Sequence, residues 1–309
     1  MVGPDLTTRI GPLTLPTPVM PASGTFGYGE EYLSIINPRA LGAIVTKSLS
    51  PNPKEGNPPP RIAEVAGGVV NSIGLENIGV EAFLKEKLPL LRDLKIPIVV
   101  SFFGETVDEY LRCAERLGQA DGIGALEANL SCPNVKRGGA IFGRDPEMVL
   151  RITRGVKEVT EVPLWVKLPP DLFGIGDLSE AAEEGGADAV TLINTLPALV
   201  VDLESRRPFL GGGVGGLSGE AIRPVALRLV WETAKRVRIP VIGVGGIRRG
   251  RDALEFILVG ASAVQVGTAV FSNPLVFEEM VEEIRGFMVK EGLRSIEDIK
   301  GRFELGEEA

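Results

Sequence analysis

Residues 240–270 read "PVIGVGGIRRGRDALEFILVGASAVQVGTAV" and contain two apolar runs separated by an amphipathic stretch. The runs cover 240–246 and 263–270, and a helical pattern covers 250–259. Near-continuous apolar runs are typical of strands that are buried on both faces of a parallel sheet. A strand, a helix and a second strand in this order predict one repeat of an alternating α/β fold.

The same alternation occurs along most of the chain. Eight strand–helix repeats over about 250 residues predict a (β/α)8 TIM barrel. An open doubly wound sheet is the alternative, and it is disfavoured because no GxGxxG motif follows the first strand. The other predicted strands cover 18–23, 43–48, 97–103, 125–131, 163–170 and 189–195. The other predicted helices cover 30–36, 79–95, 106–118, 145–161, 177–186, 219–238 and 274–291.

Three connections, 49–78, 132–144 and 196–218, exceed the roughly 2–6 residues that are usual between a strand and the next helix. Each follows the C-terminal end of a predicted strand, which is the face where barrel active sites form. The Pro- and Gly-rich segment "SPNPKEGNPPPR" (50–61) is therefore a candidate lid or rim. No change in composition marks a second domain. Residues 1–309 are thus predicted to form a single barrel domain with extended loops at the C-terminal face.

Composition limits the possible function classes. The 309 residues, 44% of them hydrophobic, are enough for a sizeable core, and the net charge of -8 disfavours nucleic-acid binding. No apolar run reaches the roughly 18 residues needed to span a bilayer. The N-terminal stretch "MVGPDLTTRIGPLTLPTP" lacks the features of a signal peptide. We therefore expect a soluble cytoplasmic protein with no membrane or nucleic-acid partner.

The chain has two cysteines, Cys113 and Cys132, and no histidine. Two cysteines do not make a disulfide framework, and without histidine they do not complete a zinc site, so no metal is expected. Histidine dyads and histidine bases are also excluded. Any acid–base step must use Cys, Lys, Asp, Glu or Tyr. Cys113 falls in the helical pattern "VDEYLRCAERLG" (107–118), where a packing role is expected.

Polar residues and glycines close the predicted strands. Polar side chains are costly in a core unless they are hydrogen-bonded, whereas at a barrel mouth they converge on one pocket. Glycines after the last two strands let backbone N–H groups approach an anion, which predicts a phosphate-bearing ligand; tight turns without a ligand are the alternative. The set comprises Ser23, Lys47, Ser48, Asn129, Ser131, Lys167, Asn194, Thr195, Gly245, Gly246, Gly267 and Thr268.

The lysines and asparagines of the chain leave the reaction open. Lys47 and Lys167 could each form a Schiff base, or could donate to an electron-rich ring or a carboxylate. Several amide side chains suit a flat ring with alternating C=O and N–H groups, such as a pyrimidine. Asparagine is also common in loops and turns, which is the alternative explanation. The asparagines concerned are Asn71, Asn77, Asn129, Asn134 and Asn194.

The stretch "NLSCPNVKRGG" (129–139) resembles the signature loop of class 1 dihydroorotate dehydrogenases. Its "SCPNVKRGG" part, together with "SGTFGYG", is similar to class 1B, whose catalytic subunit works with an iron–sulfur flavoprotein subunit. Class 2 enzymes carry serine in place of this cysteine. The resemblance covers nearly the whole chain, through "ASGTFGYGEEY" (22–32), "VTKSLS" (45–50), "NSIGLENIGV" (71–80), "VKLPPD" (166–171), "INT" (193–195), "GGLSG" (215–219), "GVGGI" (243–247) and "VQVGTAVFSNP" (264–274).

This resemblance implies an FMN barrel that oxidises (S)-dihydroorotate to orotate in the de novo pyrimidine pathway to UMP. Ser101 stands where the family often has asparagine, and its hydroxyl is expected to contact the flavin instead. The other implied FMN contacts are Ser23, Lys47, Ser48, Asn129, Lys167, Ile193, Gly219, Gly245, Gly246, Gly267 and Thr268. The implied substrate contacts are Lys47, Asn71, Ser72, Ile73, Gly74, Leu75, Asn129, Asn134, Asn194 and Thr195.

The resemblance also implies catalytic roles and a partner. A hydride leaves C6 of the substrate for flavin N5, Cys132 removes the C5 proton, and Lys167 lies near flavin N1 and O2. Because a free thiol has a pKa of about 8.5, the rate should rise with pH through that region. Electrons would pass to NAD⁺ through a partner subunit that carries FAD and a [2Fe–2S] cluster. A homodimer of this chain would form the core of a heterotetramer.

Three other functions compete with this interpretation. A fumarate-linked dihydroorotate dehydrogenase would share the chemistry but not the partner. A flavoenzyme of the dihydropyrimidine dehydrogenase type also uses a loop cysteine, although "CPH" rather than "CPN" is expected there. A lysine-dependent aldolase acting through Lys167 belongs to a different reaction class.

Overall fold

The computed structural model describes residues 3–130 and 142–306. Within these residues, eight parallel strands form one sheet. Each strand lies inside an apolar run predicted as a strand, and the (β/α)8 barrel is thereby confirmed. In chain order the barrel strands are Val19–Pro21, Ile44–Val45, Ile98–Phe102, Ala125–Asn129, Leu164–Lys167, Ala189–Leu192, Val241–Val244 and Ala263–Val266.

From the second barrel strand to the eighth, consecutive strands are neighbours in the sheet, and the eighth pairs with the first, as βα repeats require. In the pairing of the fourth and fifth strands, Glu127 lies opposite Trp165 and Asn129 lies opposite Lys167. The barrel closes between the first two strands, where the Gly42 N–H donates a 2.8 Å hydrogen bond to the Val19 carbonyl oxygen. Because all eight strands are parallel, their C-terminal ends meet at one rim.

Helices follow the barrel strands and cover the outside of the sheet. Thr106 and Asp145 cap two of them by accepting hydrogen bonds from the backbone N–H groups of Glu109 and Glu147. No helix in the described parts of the chain is long and apolar enough to cross a membrane. The helices are Glu30–Leu33, Val80–Ala82, Leu88–Arg92, Val107–Gly118, Pro146–Val159, Ile175–Glu184, Arg223–Ala234, Gly250–Leu258, Ala269–Ser272 and Val276–Glu291, with a π turn at Phe83–Lys87 and 3₁₀ turns at Pro38–Ala40, Glu220–Ile222 and Ile296–Asp298.

Cys113 lies on the buried face of helix Val107–Gly118, as the helical pattern predicts. Its Sγ is 3.8 Å from the carbonyl oxygen of Phe103. Burial, with a smaller contribution from Glu109, raises the pKa of the Cys113 thiol to about 12. The thiolate is the reactive form of cysteine, so it is scarcely populated near neutral pH.

We therefore expect Cys113 to resist alkylation in the folded protein. Peptide mass spectrometry after treatment with iodoacetamide at about pH 8 should find Cys113 unmodified, because the thiol is both protonated and inaccessible. Treatment in denaturant should modify it. Equal rates of modification in the folded and the unfolded protein would contradict the packing role.

The N-terminal end of the barrel is closed by a hairpin of Thr8–Ile10 and Leu13–Leu15. Ile10 and Leu15 are fully buried against residues that fill the lower barrel, among them Trp165. Burying each of these aliphatic side chains contributes about 1.5–3 kcal/mol. The C-terminal rim is left as the open end of the barrel.

A four-stranded antiparallel sheet stands over this rim. It consists of Ile62–Val65, Gly68–Asn71, Gly215–Ser218 and Leu196–Ala198. The long connections 49–78 and 196–218 thus lie at the rim, as expected, but they contain strands that the sequence analysis did not predict. Their strands have only three or four residues, and three of the four contain glycine or proline, so they give no two-residue alternation that could be recognised. Pairing with a segment distant in sequence stabilises them instead.

Candidate active site

A cavity of about 630 Å³ opens at the C-terminal end of the barrel. The ends of the barrel strands form its lower part, and residues of the antiparallel sheet, including Glu64, Val69 and Asn71, form part of its wall. Its volume is in the range of about 300–1,000 Å³ that is usual for small-molecule sites. Residues from most of the βα repeats therefore meet around one space.

Most of the residues predicted for the site lie on this cavity. They come from both the cofactor and the substrate sets, although they are scattered over the chain. Those that line it are Ser23, Lys47, Ser48, Asn71, Ile73, Leu75, Asn129, Lys167, Ile193, Asn194, Thr195, Gly219, Gly245, Gly246, Gly267 and Thr268.

Three predicted residues lie behind the cavity lining. Ser101 is fully buried, and its Oγ is 2.8 Å from the Oγ of Ser48, which does line the cavity. Ser72 is also fully buried, and its Oγ accepts a 2.9 Å hydrogen bond from Asn57. Gly74 is likewise outside the lining. Ser101 can therefore support a residue that lines the cavity, whereas Ser72 holds Asn57, which does not line it.

Cys132, Asn134 and Ser131 lie outside the described residues. Their predicted places in the site therefore stay predictions from the sequence.

Amide side chains on one side of the cavity are held by hydrogen bonds. Asn194 Nδ2 donates to Asn129 Oδ1 at 3.3 Å, and Asn129 Nδ2 donates to Ser48 Oγ at 3.3 Å. Asn71 Nδ2 donates to the carbonyl oxygen of Gly216 at 3.2 Å, which ties it to the antiparallel sheet. These contacts hold amide groups at fixed positions, as recognition of a flat polar ring requires.

Asn77 has a structural role instead. It is buried, and its side chain bonds the backbone N–H groups of Ser50 and Gly79 and the carbonyl oxygen of Leu75. It is not among the residues that line the cavity. For this asparagine, the alternative of an ordinary loop residue is correct.

Glycines form another part of the cavity lining. Gly219, Gly245 and Gly246 have φ angles of 105°, 130° and 72°, which side-chain-bearing residues rarely adopt. A Cβ on Gly246 would lie 2.6 Å from Arg223 Cβ and 2.9 Å from the Gly219 carbonyl oxygen. The backbone conformation and the close packing therefore require glycine at position 246. The resulting bare backbone surface permits close approach by an anion such as a phosphate.

The cavity floor contains a buried polar network that the sequence reasoning missed. Lys167 is only 4% exposed, and its Nζ donates to Gln265 Oε1 at 3.1 Å and to Ser23 Oγ at 3.4 Å. Its Nζ is also 3.7 Å from Glu127 Oε1. Gln265 Nε2 in turn donates to Glu127 Oε2 at 2.5 Å. A signal was present, since "ALEANLS" (125–131) and "AVQVGTAV" (263–270) each have a polar residue inside an apolar run.

Charged residues at the cavity edge were also missed, and several of them are paired. Arg248 forms a 2.6 Å ion pair with Glu220, and Arg61 forms one of 2.7 Å with Glu76. Glu76, Glu220 and Arg248 all line the cavity. Such partly exposed pairs contribute only about 0–1 kcal/mol each, so they shape the edge rather than stabilise the fold.

The sequence model of the family described as dihydroorotate dehydrogenase matches residues 5–288. The dihydroorotate dehydrogenase B (NAD(+)), catalytic subunit, of Geobacter metallireducens is 48% identical over 305 residues, which are 99% of this chain and 100% of the relative. The protein of the same description from Thermodesulfovibrio yellowstonii is 50% identical over 301 residues, 97% of this chain and 99% of that one.

A solved structure shares the same architecture. The crystal structure of DHODH in complex with ferulenol from Eimeria tenella has a TM-score of 0.79 and 25% sequence identity. The match covers 96% of this chain and 88% of that one.

Proposed function

The chain belongs to the dihydroorotate dehydrogenase family, and from this premise we propose that it is the FMN-binding catalytic subunit of an NAD⁺-linked dihydroorotate dehydrogenase. It would oxidise (S)-dihydroorotate to orotate in de novo pyrimidine biosynthesis. The observation that carries the proposal is the gathering of Lys47, Asn71, Asn129, Lys167 and Asn194 around one cavity. The full-length similarity to NAD⁺-linked relatives supports the choice of electron acceptor.

The cavity fits FMN in two respects. The surface around Gly245 and Gly246 can accept a phosphate, because both glycines line the cavity and carry no side chain that would keep an anion from their backbone. Lys167 supplies a cation to the same cavity, where it can face a flavin ring. Further hydrogen-bonding groups of the cavity lining come from Ser23, Ser48, Asn129 and Thr268.

In the proposed reaction, this chain binds, orients and deprotonates the substrate. When bound, FMN supplies the acceptor for the hydride that leaves C6 of dihydroorotate. Lys167 would help to hold FMN and would supply a cation where negative charge develops on it. Asn71, Asn129, Asn194 and Thr195 hold the substrate ring, because their fixed amides and hydroxyl match its alternating C=O and N–H groups. Lys47, on the cavity wall, can pair with the substrate carboxylate.

Cys132 is proposed as the base that takes the C5 proton, with Asn134 as a further substrate contact. Both residues lie outside the described parts of the chain. The chemical argument is that the sequence has no histidine and that Cys113 is packed into the core. Of the two cysteines this leaves Cys132, and the resemblance of "NLSCPNVKRGG" (129–139) to the class 1 signature loop is what assigns it the role of base.

The remaining proposals concern assembly. A partner subunit with FAD and a [2Fe–2S] cluster would carry electrons to NAD⁺, and the description of the relatives as catalytic subunits supports such a partner. A homodimeric core, a heterotetramer, a cytoplasmic location and a single domain over residues 1–309 remain predictions from the sequence. The fumarate-linked and dihydropyrimidine dehydrogenase-type activities are the alternatives that assays must separate.

The proposal is tested on the purified chain. It should be yellow, and anaerobic addition of dihydroorotate should bleach the flavin absorbance and release orotate. Fumarate should not reoxidise the flavin efficiently, whereas NAD⁺ should do so once the iron–sulfur flavoprotein is added. A chain that binds FMN but reacts with dihydropyrimidines and not dihydroorotate would overturn the substrate assignment.

Replacing Gly246 by alanine should weaken FMN binding at least tenfold, about 1.4 kcal/mol. The reason is that the new Cβ would push against Arg223 and the Gly219 backbone and so displace Gly219 or Gly246, which both line the cavity at the proposed phosphate surface. Fluorescence titration of the apoprotein with FMN measures the effect.

Gly292→Ala is the matched control for this variant. Gly292 has a φ of 69°, close to the 72° of Gly246, but its Cβ would meet no described atom within 4 Å. It should share the cost of backbone strain, roughly 1–2 kcal/mol, and keep normal FMN affinity. Equal loss of affinity in the two variants would mean that the effect comes from general destabilisation.

A further inference from the structure

Glu127 is a fully buried carboxylate in the middle of a barrel strand. Its Oε2 accepts hydrogen bonds from Gln265 at 2.5 Å and from Thr191 at 3.2 Å. Its Oε1 has no hydrogen-bond partner among the described residues. A charge in such a place is strongly unfavourable unless another charge compensates it, so its presence calls for a specific explanation.

The compensating charge is Lys167, which Glu127 meets in two ways. Directly, Lys167 Nζ and Glu127 Oε1 are 3.7 Å apart, which is an ion pair without a hydrogen bond. Indirectly, Gln265 accepts from Lys167 through Oε1 and donates to Glu127 through Nε2. This orientation of the amide satisfies the cation and the anion together. The carboxylate therefore fixes the amide, and the amide helps to fix the ammonium group.

Only one member of this ion pair reaches the cavity. Lys167 lines it, whereas Glu127 and Gln265 are outside its lining. Glu127 is thus too deep to touch a ligand, but its Oε1 lies 3.7 Å from Nζ of Lys167 on the cavity floor. Charges so close together in a poorly solvated interior interact far more strongly than they would in water.

We propose that Glu127 is a positioning residue that holds Lys167 under the flavin and, by offsetting part of its charge, sets how readily the flavin accepts electrons. The inference rests on the proposed function, because it requires FMN in the cavity. Reduction adds negative charge to the flavin, so an uncompensated Lys167 ammonium would stabilise the reduced form. The negative charge of Glu127 offsets part of this stabilisation of the reduced flavin. The reduced flavin can therefore pass its electrons on more readily.

The test is the two-electron reduction potential of FMN bound to the full chain, measured by equilibration with a reference dye. Glu127→Gln keeps the shape and the ability to accept from Gln265 and Thr191, but removes the charge. It should favour the reduced flavin at least tenfold, a positive shift of about 30 mV. Thr191→Val is the matched control: it removes one hydrogen bond to the same carboxylate and no charge, so its shift should be well below tenfold.

Glu127→Asp tests the same idea in a second way. It keeps the charge but withdraws it by one methylene from Lys167, so its shift should have the same sign and be smaller. Equal potentials for wild type, Glu127→Gln and Glu127→Asp would overturn the proposal. Loss of FMN from both Glu127 variants would also overturn it, because the role would then be structural.

Failure of the inference and failure of the proposed function are distinguishable. If the wild-type chain does not bind FMN, or if dihydroorotate does not reduce the flavin, the proposed function fails. If the wild type does both and the variants show no shift, only the role of Glu127 is wrong.

Discussion

Lys167→Met is expected to lower the free energy of unfolding by about 3–5 kcal/mol, because it leaves Glu127 as an unpaired buried charge. The same change should slow flavin reduction by dihydroorotate about 10²–10³-fold, since a preorganised cation is lost where negative charge develops. Chemical denaturation measures the first effect and anaerobic stopped-flow spectroscopy the second.

A double variant separates the two effects. Lys167→Met combined with Glu127→Gln removes both charges, so most of the lost stability should return. The rate should not return, because the cation is still missing. Recovery of both stability and rate would show that Lys167 acts only by balancing Glu127.

Lys157→Met is the control for removing an ion-paired lysine elsewhere. Lys157 forms a 3.0 Å ion pair with Asp188, and neither residue lines the cavity. Because this pair is partly exposed, its loss should cost roughly 1 kcal/mol or less and leave the rate unchanged. A similar cost for both lysines would contradict the importance of burial at Lys167.

Cys132→Ser should reduce turnover about 10²–10⁴-fold while FMN remains bound, because a serine hydroxyl is a far weaker general base than a thiolate. In the wild type, the rate of flavin reduction should rise with pH towards the pKa of a free thiol, about 8.5. That rise should be absent from the serine variant over the same range. Stopped-flow measurements across pH test both statements.

The second cysteine provides the control for this prediction. Cys113→Ala changes a residue that is fully buried in a helix outside the cavity, so flavin reduction should keep its rate and its pH dependence. Full activity in Cys132→Ser would instead require another group to take the C5 proton.

Local patterns predicted much of the molecule correctly. The eight barrel strands were recognisable because strands buried on both faces must be continuously apolar. The helix capped by Thr106 was predicted almost to its ends, since its apolar positions recur at helical spacing. Polar strand ends such as Lys47, Asn129 and Lys167 predicted the cavity, because parallel strands bring their C-terminal ends to one rim.

Other features were not readable from local patterns. Asn71 and Asn77 are six positions apart in the chain. Asn71 lines the cavity, whereas the side chain of Asn77 holds a loop by hydrogen bonds to its backbone. Ser101 follows a strand pattern to the rim, yet it lies behind Ser48. In each case the direction of a side chain depends on its neighbours in space.

The sequence by itself determined the barrel, the position of its active face and the kinds of chemistry open to a chain without histidine. These follow from periodicity and composition, which are local properties of the chain. Only the tertiary structure decided that the long connections pair into a sheet over the cavity and that Glu127 meets Lys167 through Gln265. The physical reason is that hydrogen-bond and ion-pair partners are chosen by distance in space, and Glu127 and Gln265 are 138 positions apart in the chain.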